Sequence, residues 1–414
     1  MIDAKSGQVG LRAMISGGHF CTIFVNLLFA RGRLLQSLLS VCIMTEPAHP
    51  PLLFGILSTA NIAKKLALAM AACPDTRLVA VASRSFERAE AFITVSQLGA
   101  GVRPYGSYQA LLDDPRVDAV YLPLPTSLHV EWVCKAAVAG KKYILVEKPV
   151  AVSTGDLEMM LGCCREHGSF LLDGTMFVHH ERTLHLQRLL ATPRFQSVHR
   201  AQCNFSFRGD DSFFENNIRG DSGLDPLGAL GDLGWYCIRY SVLLFEKMPT
   251  HVTAVCRRYS PCGKIPYDLS ATLFYDDDND CTFLFDCSFL QGFRQSACVS
   301  IRPVQHGGAD KIITCDDFVI PRSMLSSNYT VESSDASAPF ADEGGRVLSA
   351  VEKVSFGECV QEQQMLLYLA SLRTQGTGAP RHQEVLAGMR KTQVIMDAVL
   401  AAARVSGPIE VVRL

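Results

Sequence analysis

The stretch KKYILVEKPVA, residues 141–151, joins an apolar run, YILV, directly to an acid, a base and a proline. Four consecutive apolar residues without polar alternation predict a strand buried on both faces, as in a parallel sheet covered by helices. Lys148 then stands at the carboxyl end of that strand, and Pro149 stiffens the turn that follows. Ligands bind at this edge of such sheets. The stretch therefore predicts both a fold and a lysine directed into a ligand crevice.

Strand and helix patterns alternate outward from this stretch back to residue 51. Short apolar runs predict strands at residues 52–57, 77–83 and 117–125, and helical periodicity predicts helices at residues 61–72, 86–93, 108–115 and 130–142. Gly140 closes the last of these helices. This alternation predicts an α/β Rossmann-type doubly wound parallel sheet over residues 51–170.

The rhythm changes after residue 172, where strand patterns follow one another without helices between them. These patterns predict a second, α+β domain over residues 171–414 with a large, mostly antiparallel open sheet. Helical patterns return at residues 358–374 and 382–403, and we expect these helices to pack back toward the first domain. The strand candidates are residues 197–207, 251–259, 269–275, 281–289, 297–303 and 311–320.

Composition narrows the class of protein. Among the 414 residues, 48% are hydrophobic and 19% are charged, which is typical of a globular chain and excludes an intrinsically disordered one. The net charge of −2 gives no electrostatic basis for nucleic-acid binding. The 15 cysteines show no metal-ligand spacing, so we expect no metal site and interpret them as reduced thiols of a cytoplasmic protein.

Residues 1–50 differ from the rest of the chain. They hold no acid between Asp3 and Glu46, and arginines interrupt an apolar run that is too short for a comfortable membrane span. This pattern is consistent with a disordered leader or an organelle-targeting segment. The alternative is that Met44 is a second start and the leader is dispensable.

The turn between the first strand and the first helix is where such a fold binds a pyrophosphate. The three glycine positions of the dinucleotide motif are occupied here by Ser58, Ala60 and Ala63. Small residues still permit close approach of a phosphate, with Thr59, Asn61 and Ile62 completing the turn. By itself the pattern fits an ordinary strand–helix connection as well as it fits a nucleotide-binding turn.

The end of the second strand favours a particular dinucleotide. Ser83 and Arg84 stand where an NAD enzyme typically has an acid for the ribose hydroxyls. A hydroxyl and a guanidinium suit a 2′-phosphate instead, and Arg88 lies one turn further on. This pattern predicts NADP(H); the alternative is an ordinary exposed arginine. Further candidates for contact with the cofactor follow the strand at residues 117–125: Pro123, Pro125, Thr126 and His129, the last of which is alternatively only a helix-start residue.

Taken together, GILSTANIA (55–63), ASRS (82–85), PTSLH (125–129) and EKP (147–149) resemble the glucose–fructose oxidoreductase/inositol dehydrogenase (Gfo/Idh/MocA) family. The closer likeness is to its dimeric dihydrodiol dehydrogenase and xylose dehydrogenase branch, and it begins at about residue 52. The resemblance implies an NADP(H)-dependent oxidoreductase and a homodimer. It also implies catalytic Lys148, Asp232 and Tyr236, with Glu147 at the cofactor and a substrate site that adds Phe177, His179 and Arg219.

The resemblance implies hydride transfer between nicotinamide and a secondary hydroxyl or carbonyl of a sugar, polyol or trans-diol. Tyr236 would give or take the proton, and the nearby charge of Lys148 would bring the pKa of that tyrosine toward neutrality. The residue-level alternatives are a core tyrosine and a helix-start aspartate. Glu147 either holds its loop or faces the cofactor. The alternative function is a catalytically silent NADP-binding sensor or scaffold.

Association is also predicted from the second sheet. The sequence predicts apolar side chains on more faces of this sheet than a single core can bury, for example those of Phe283, Phe285 and Phe289. Such a surface is usually buried by a partner. We therefore expect a homodimer that forms through this sheet.

Overall fold

A computed structural model describes residues 49–192, 195, 198–275, 281–302, 310–323, 326–333, 350–357, 360–376, 378–405 and 409–410. The predicted leader lies outside these residues except for its last two positions. No helix within the described ranges is long and apolar enough to cross a membrane.

The first sheet has six described strands, all parallel, in the order β3-β2-β1-β4-β5-β6. This order confirms the Rossmann-type fold. The strand-to-helix rhythm confirms the predicted elements to within a few residues at most boundaries. Two of the six strands, residues 103–105 and 170–173, were not predicted, and the second of them runs past the predicted domain boundary at residue 170. The strands are β1 Leu52–Leu57, β2 Thr76–Ala82, β3 Arg103–Tyr105, β4 Ala119–Leu122, β5 Tyr143–Val146 and β6 Phe170–Asp173.

The second sheet has nine described strands in the order β14-β13-β12-β11-β7-β10-β9-β8-β15. All its pairings are antiparallel except β7 with β10, so the predicted mostly antiparallel sheet is confirmed. Its strands are β7 Val198–Arg208, β8 His251–Tyr259, β9 Pro266–Phe274, β10 Thr282–Ser288, β11 Leu290–Ile301, β12 Lys311–Cys315, β13 Ser327–Ser333, β14 Ala350–Phe356 and β15 Ile409–Glu410.

The strand predicted over residues 311–320 ends early, at Cys315. The carboxylate of Asp317 accepts from the backbone N–H of Arg322 at 2.7 Å and from Arg182 Nη1 at 2.6 Å, and these bonds fix a turn in place of further sheet pairing. Strands β13 and β14 were not predicted.

Helices cover the first sheet and support the second. Helices α5, α6 and α7 were not predicted, whereas the two long C-terminal helices were. The described helices are α1 Asn61–Ala72, α2 Phe86–Val95, α3 Tyr108–Leu112, α4 His129–Val138, α5 Thr154–Glu166, α6 Glu181–Leu190, α7 Asp211–Asn216, α8 Trp235–Phe245, α9 Gln361–Gln375 and α10 Pro380–Ala402.

The C-terminal helices contact the first domain directly. Leu366 and Leu369 of α9 share one buried cluster with Leu66 of α1, under the first sheet. Asp397 of α10 accepts from the backbone N–H of Thr154 at 2.8 Å and from its hydroxyl at 2.7 Å. The last part of the chain therefore completes the core of the first domain.

The prediction that three phenylalanines form an open apolar face of the second sheet was wrong. Phe283, Phe285 and Phe289 are at most 1% exposed and lie in the core of a single chain. Alternation along β10 directs Phe283 and Phe285 to the same inward face, and Phe289 packs against Phe213 after the strand ends, with ring centroids 5.1 Å apart. These three residues therefore stabilise the single chain and give no evidence for a partner.

Replacing Phe285 with alanine should lower the free energy of unfolding by about 3–5 kcal/mol, the usual cost of a cavity in a packed core. Urea unfolding followed by fluorescence measures the change. Val138→Ala is the matched control, because Val138 is 65% exposed and its truncation should cost less than about 0.5 kcal/mol. Equal effects for the two variants would contradict the core position of Phe285.

Candidate active site

The two domains meet at the carboxylate of Asp232. Lys148 Nζ donates to Asp232 Oδ1 at 2.6 Å and to its backbone carbonyl at 2.9 Å. Arg219 forms two further bonds, from Nε to Oδ2 at 2.7 Å and from Nη2 to Oδ1 at 2.9 Å. Burial alone would raise the pKa of Asp232, but the charges of Arg219 and Lys148 outweigh burial and hold the pKa below its ordinary value. Asp232 is therefore a carboxylate held between two cations.

Local backbone structure brings these groups together. Lys148 follows the end of β5, and Asp232 lies in a π-helical turn, Leu230–Gly234, that leads into α8. A Cβ on Gly231 would come 2.6 Å from Leu227 Cβ and 3.1 Å from Pro149 Cγ, so the turn approaches the Lys148 loop closely because residue 231 has no side chain. The Lys148–Pro149 peptide is cis.

Tyr236 lies one turn after Asp232, in α8, beside the same lysine. Lys148 Nζ is 5.0 Å from the centroid of the Tyr236 ring, and the hydroxyl donates to Met176 Sδ at 3.7 Å. Burial, followed by the charges of Glu147 and Asp232, raises the pKa of Tyr236 well above its ordinary value. The prediction that this pKa lies near neutrality is therefore wrong for this arrangement, because burial and the two carboxylates dominate. The site holds Tyr236 in its protonated form.

The structure favours the first of the two roles considered for Glu147. Its carboxylate accepts a short hydrogen bond from the Tyr121 hydroxyl and a bond from the backbone N–H of Lys148 at 3.2 Å. Burial raises the pKa of Glu147, and the hydrogen bond from Tyr121 opposes that rise. A side chain at Gly174 would meet the carboxylate at 3.2 Å. Glu147 thus fixes its own loop between two strands of the first sheet.

Phe177 lies behind the site and not in it. It is 1% exposed, and its ring packs against Tyr236 and Phe318 at centroid distances of 6.1 and 6.2 Å. The prediction that it contacts substrate is corrected by this burial: Phe177 supports Tyr236 through packing.

His179 is likewise displaced from the predicted role. It is 3% exposed and stacks on Tyr368 at 4.6 Å, and none of its described contacts involves Lys148, Asp232 or Tyr236. Burial and two nearby arginines lower its pKa to about 3, so the imidazole is neutral at physiological pH. It is therefore not the imidazolium that a histidine general acid would need to be at this pH.

The turn after β1 has the features of an anion site. Helix α1 has no side-chain cap at its N-cap residue, Ala60, and no acid in its first turn, so its positive end is not neutralised there. Ser58 Oγ accepts from the backbone N–H of Ala60 at 3.1 Å, and Thr59 is half-buried beside it. Asn61 is exposed, and Ile62 leaves 40% of its apolar surface uncovered at this edge. The turn fits a dinucleotide pyrophosphate.

The predicted phosphate-binding arginines are accessible. Arg84 and Arg88 are exposed, and neither forms an ion pair with a described residue, whereas Ser83 is 6% exposed. Tyr108 belongs to the same region and was not predicted. Burial raises the pKa of Tyr108, and the charge of Arg84 and a hydrogen bond with Ser58 oppose that rise. Tyr108 therefore links the turn after β1 to the end of β2.

His129 is wrongly assigned to the cofactor. Its Nδ1 lies 3.0 Å from the carbonyl of Val150 and its Nε2 lies 2.9 Å from the carbonyl of Leu124. Each ring nitrogen thus faces a backbone carbonyl, one of which accepts the single N–H of the neutral ring, and the side chain is fully buried. His129 begins α4, as the alternative held, and joins the loop after β4 to the loop after β5. Pro123 and Pro125 flank Leu124 in the first of these loops.

A further acid, Asp225, was missed. Thr126 Oγ1 donates to Asp225 Oδ1 at 3.4 Å, which joins the loop after β4 to the second domain. Burial and the charge of Asp232 raise the pKa of Asp225 to about 6, against the opposing charges of Arg219 and Lys148. In the sequence, Asp225 precedes a proline, and an Asp-Pro dipeptide predicts only a turn. Nothing in its spacing places it near Lys148.

A buried polar chain also escaped prediction. The Trp235 indole N–H donates to Thr175 Oγ1 at 2.8 Å, and the Thr175 hydroxyl donates to Asp173 Oδ2. Arg239 Nη2 lies 3.9 Å from Asp173 Oδ1. This chain anchors the start of α8, and with it Tyr236, to the end of β6.

Two family models match the chain. Residues 52–174 match the model described as "Oxidoreductase family, NAD-binding Rossmann fold", and residues 183–302 match the "GFO/IDH/MocA C-terminal domain". The two models belong to the same family, and together they account for more than half of the chain.

Among curated proteins, the chain is 35% identical over 225 residues to D-xylose 1-dehydrogenase (NADP(+)) 2 of Haloferax volcanii, covering 54% of this chain and 66% of that protein. It is 29% identical to trans-1,2-dihydrobenzene-1,2-diol dehydrogenase of Xenopus laevis, covering 49% of this chain and 59% of that protein. An uncharacterized oxidoreductase of Rhizobium meliloti is 36% identical, with 49% and 58% covered. The chain therefore spans less than two thirds of the length of these relatives.

Among solved structures, the 3-ketoreductase KijD10 from Actinomadura kijaniata, in complex with NADP and TDP-benzene, superposes with a TM-score of 0.71 at 23% identity. The superposition covers 85% of this chain and 98% of that one. At this identity the likeness concerns the fold, and it confirms the predicted fold class.

Proposed function

Because the chain belongs to the Gfo/Idh/MocA oxidoreductase family, we propose that it is an NADP(H)-dependent oxidoreductase acting on a secondary hydroxyl or carbonyl of a sugar, polyol or trans-diol. The observation that carries this proposal is the cluster of Lys148, Asp232 and Tyr236 at the junction of the two domains. A binding protein without turnover has no need for a protonated tyrosine beside a buried ammonium group.

The chain's own groups supply the proton chemistry. In the reducing direction, the Tyr236 hydroxyl gives its proton to the carbonyl oxygen as the C–H bond forms, and the resulting tyrosinate regains a proton from solvent. Lys148 donates to the same oxygen and stabilises the negative charge that develops there. A bound NADP(H) supplies the hydride, or accepts it in the reverse direction. The raised pKa of Tyr236 keeps it protonated at neutral pH, so the proton that reduction requires is in place before the reaction.

Cofactor choice rests on the end of β2. Arg84 and Arg88 are exposed there with no described acidic partner, and no acid stands where a ribose-binding carboxylate would be. Among the relatives, the xylose dehydrogenase is named for NADP(+), and KijD10 was solved with NADP. These observations favour NADP(H) over NAD(H).

Substrate class rests on the polar groups around Tyr236. Arg219 and Asp232 place a guanidinium and a carboxylate beside Lys148 and Tyr236, which suits a ligand with neighbouring hydroxyl groups. The names of the xylose and dihydrodiol dehydrogenases agree with such a ligand. The direct test is NADPH binding by fluorescence, followed by turnover with pentoses, hexoses, their keto forms and trans-diols. NADPH binding without turnover of any of them would favour the silent sensor.

Arg84→Ala should weaken NADPH binding by about 10- to 100-fold and leave NADH binding nearly unchanged, because only NADPH carries the phosphate that loses a charged partner. Fluorescence titration with each dinucleotide measures both affinities. Arg77→Ala, an exposed arginine at the other end of β2, is the matched control and should change neither. Equal losses for the two dinucleotides, or tighter NADH binding by the parent, would refute the NADP(H) assignment.

Lys148→Met and Tyr236→Phe should each lower turnover at least ~100-fold while sparing NADPH binding, because they remove the stabilising charge and the proton donor. The double variant should be far less impaired than the product of the two losses, since both groups act on one proton transfer. Steady-state kinetics in both directions provide the measurement. Because the pKa of Tyr236 is raised, reduction should be flat from about pH 7 to 9 and oxidation should rise with pH over that range.

The control for this pair is Tyr240→Phe, which removes a hydroxyl from the same helix, one turn further from Asp232. It should keep turnover within about twofold of the parent. Near-parental turnover in Tyr236→Phe would show instead that Tyr236 only packs in the core and that another group supplies the proton.

We also propose a homodimer through the outward face of the second sheet, and a cytoplasmic location in line with the many cysteine thiols. That face carries Val255 and Ile312, which are 62% and 40% exposed, among polar side chains. Introducing Val255→Asp with Ile312→Asp should convert a dimer to a monomer by light scattering at micromolar concentration, because each adds an unpaired charge to the interface. Val138→Asp, on an exposed helix end of the first domain, should leave the mass unchanged. A monomeric parent would refute the dimer.

A further inference from the structure

Asp225 is a buried acid that the proposed reaction does not yet use. It is 5% exposed, and the segment around it is docked on the loop after β4. The backbone N–H of Ser127 donates to the carbonyl of Leu224 at 3.2 Å, and the Thr126 hydroxyl donates to Asp225 Oδ1 at 3.4 Å. Asp225 therefore connects the second domain to a loop that lies at the carboxyl edge of the first sheet.

The charged groups that face Asp225 are those of the catalytic cluster. Asp232, Arg219 and Lys148 all act on its carboxyl group, and the Thr126 hydroxyl is its hydrogen-bond donor. Burial and Asp232 raise its pKa to about 6, while the two cations and Thr126 oppose the rise. The carboxylate is ionised at neutral pH, but its pKa lies only slightly below that pH, so its charge changes within the mildly acidic range.

We propose that Asp225 is a positioning residue of the reaction, whose negative charge secures the Thr126 loop, together with the cations Lys148 and Arg219, at the spacing that turnover requires. The inference rests on the proposed function. An ionised acceptor binds the Thr126 hydroxyl about twice as strongly as a neutral one. Protonation of Asp225 weakens that hydrogen bond and removes one of the negative charges that act on Lys148. The two domains then lose a connection next to the reacting groups.

A cost in stability accompanies this role. The folded-state pKa of Asp225 lies above the ordinary aspartate value of about 3.9, so ionisation disfavours the folded state. The contribution of Asp225 to the free energy of unfolding is fully present below the ordinary aspartate pKa. This contribution is lost as pH rises through about 6. Asp225→Asn should therefore melt at a higher temperature than the parent at about pH 8 and at nearly the same temperature at about pH 4. A residue with a merely structural role would destabilise the protein when changed.

The experiment measures kcat, KM and melting temperature from about pH 5 to 8.5 for the parent, Asp225→Asn and Thr126→Val. The parent should show an acid limb in kcat. Asp225→Asn should lose that limb, with kcat about tenfold lower at neutral pH and NADPH binding unchanged. Thr126→Val should move the limb to higher pH, because it removes a bond that lowers the pKa of Asp225. Asp221→Asn, an exposed acid on the same segment, is the matched control and should resemble the parent.

Two outcomes overturn the inference. An acid limb that persists in Asp225→Asn belongs to another group, of which Glu147 is the first candidate because burial raises its pKa as well. A lower melting temperature for Asp225→Asn at both ends of the pH range assigns the residue a purely structural role. Failure of the proposed function is a separate result, namely a parent that binds NADPH and turns over none of the substrate panel. In that case equal melting shifts for Asp225→Asn and Asp221→Asn would overturn the inference without reference to turnover.

Discussion

The carboxylate of Asp232 is the constraint on which the rest of the site depends. It binds Lys148 from the first domain and Arg219 from the second, in a place where its side chain is only 8% exposed. Removing one member would leave a buried charge without its partner, which is costly, whereas the complete set is balanced. The two sheets are therefore joined at the point where chemistry is expected, and the geometry of the reacting groups follows from an electrostatic requirement.

The same pairing sets the state of Tyr236. The ammonium group of Lys148 is engaged by Asp232 and lies over the face of the tyrosine ring, and burial together with the charges of Glu147 and Asp232 raises the pKa of the hydroxyl. The tyrosine is instead buried among negative groups and keeps its proton. In the proposed reaction this arrangement would make Tyr236 the proton donor, and a substrate oxygen that draws Lys148 toward itself would change the balance only during reaction.

Packing behind the site makes this geometry rigid. Trp235 and Thr175 tie the start of α8 to Asp173 at the end of β6, and Phe177 fills the space behind Tyr236. The C-terminal helices add a second restraint, since α9 completes the core of the first domain and α10 binds the start of α5 through Asp397. Side chains locked by packing and hydrogen bonds hold catalytic groups more accurately than loops do. Residues that read as site residues, such as Phe177 and His179, belong to this support.

The sequence by itself determined the parallel sheet, the mostly antiparallel sheet and the position of Lys148, because apolar runs, alternation and turn residues are local signals. Family motifs added Asp232, Tyr236 and Arg219. Tertiary structure alone decided that Lys148 is paired with Asp232 and that His129 lies between two loops. It also decided that the phenylalanines of β10 lie in the core and that Asp225 lies beside the site. Each of these depends on which atoms meet across distant segments, and burial and Coulomb interactions there act through space, with no periodicity along the chain to reveal them.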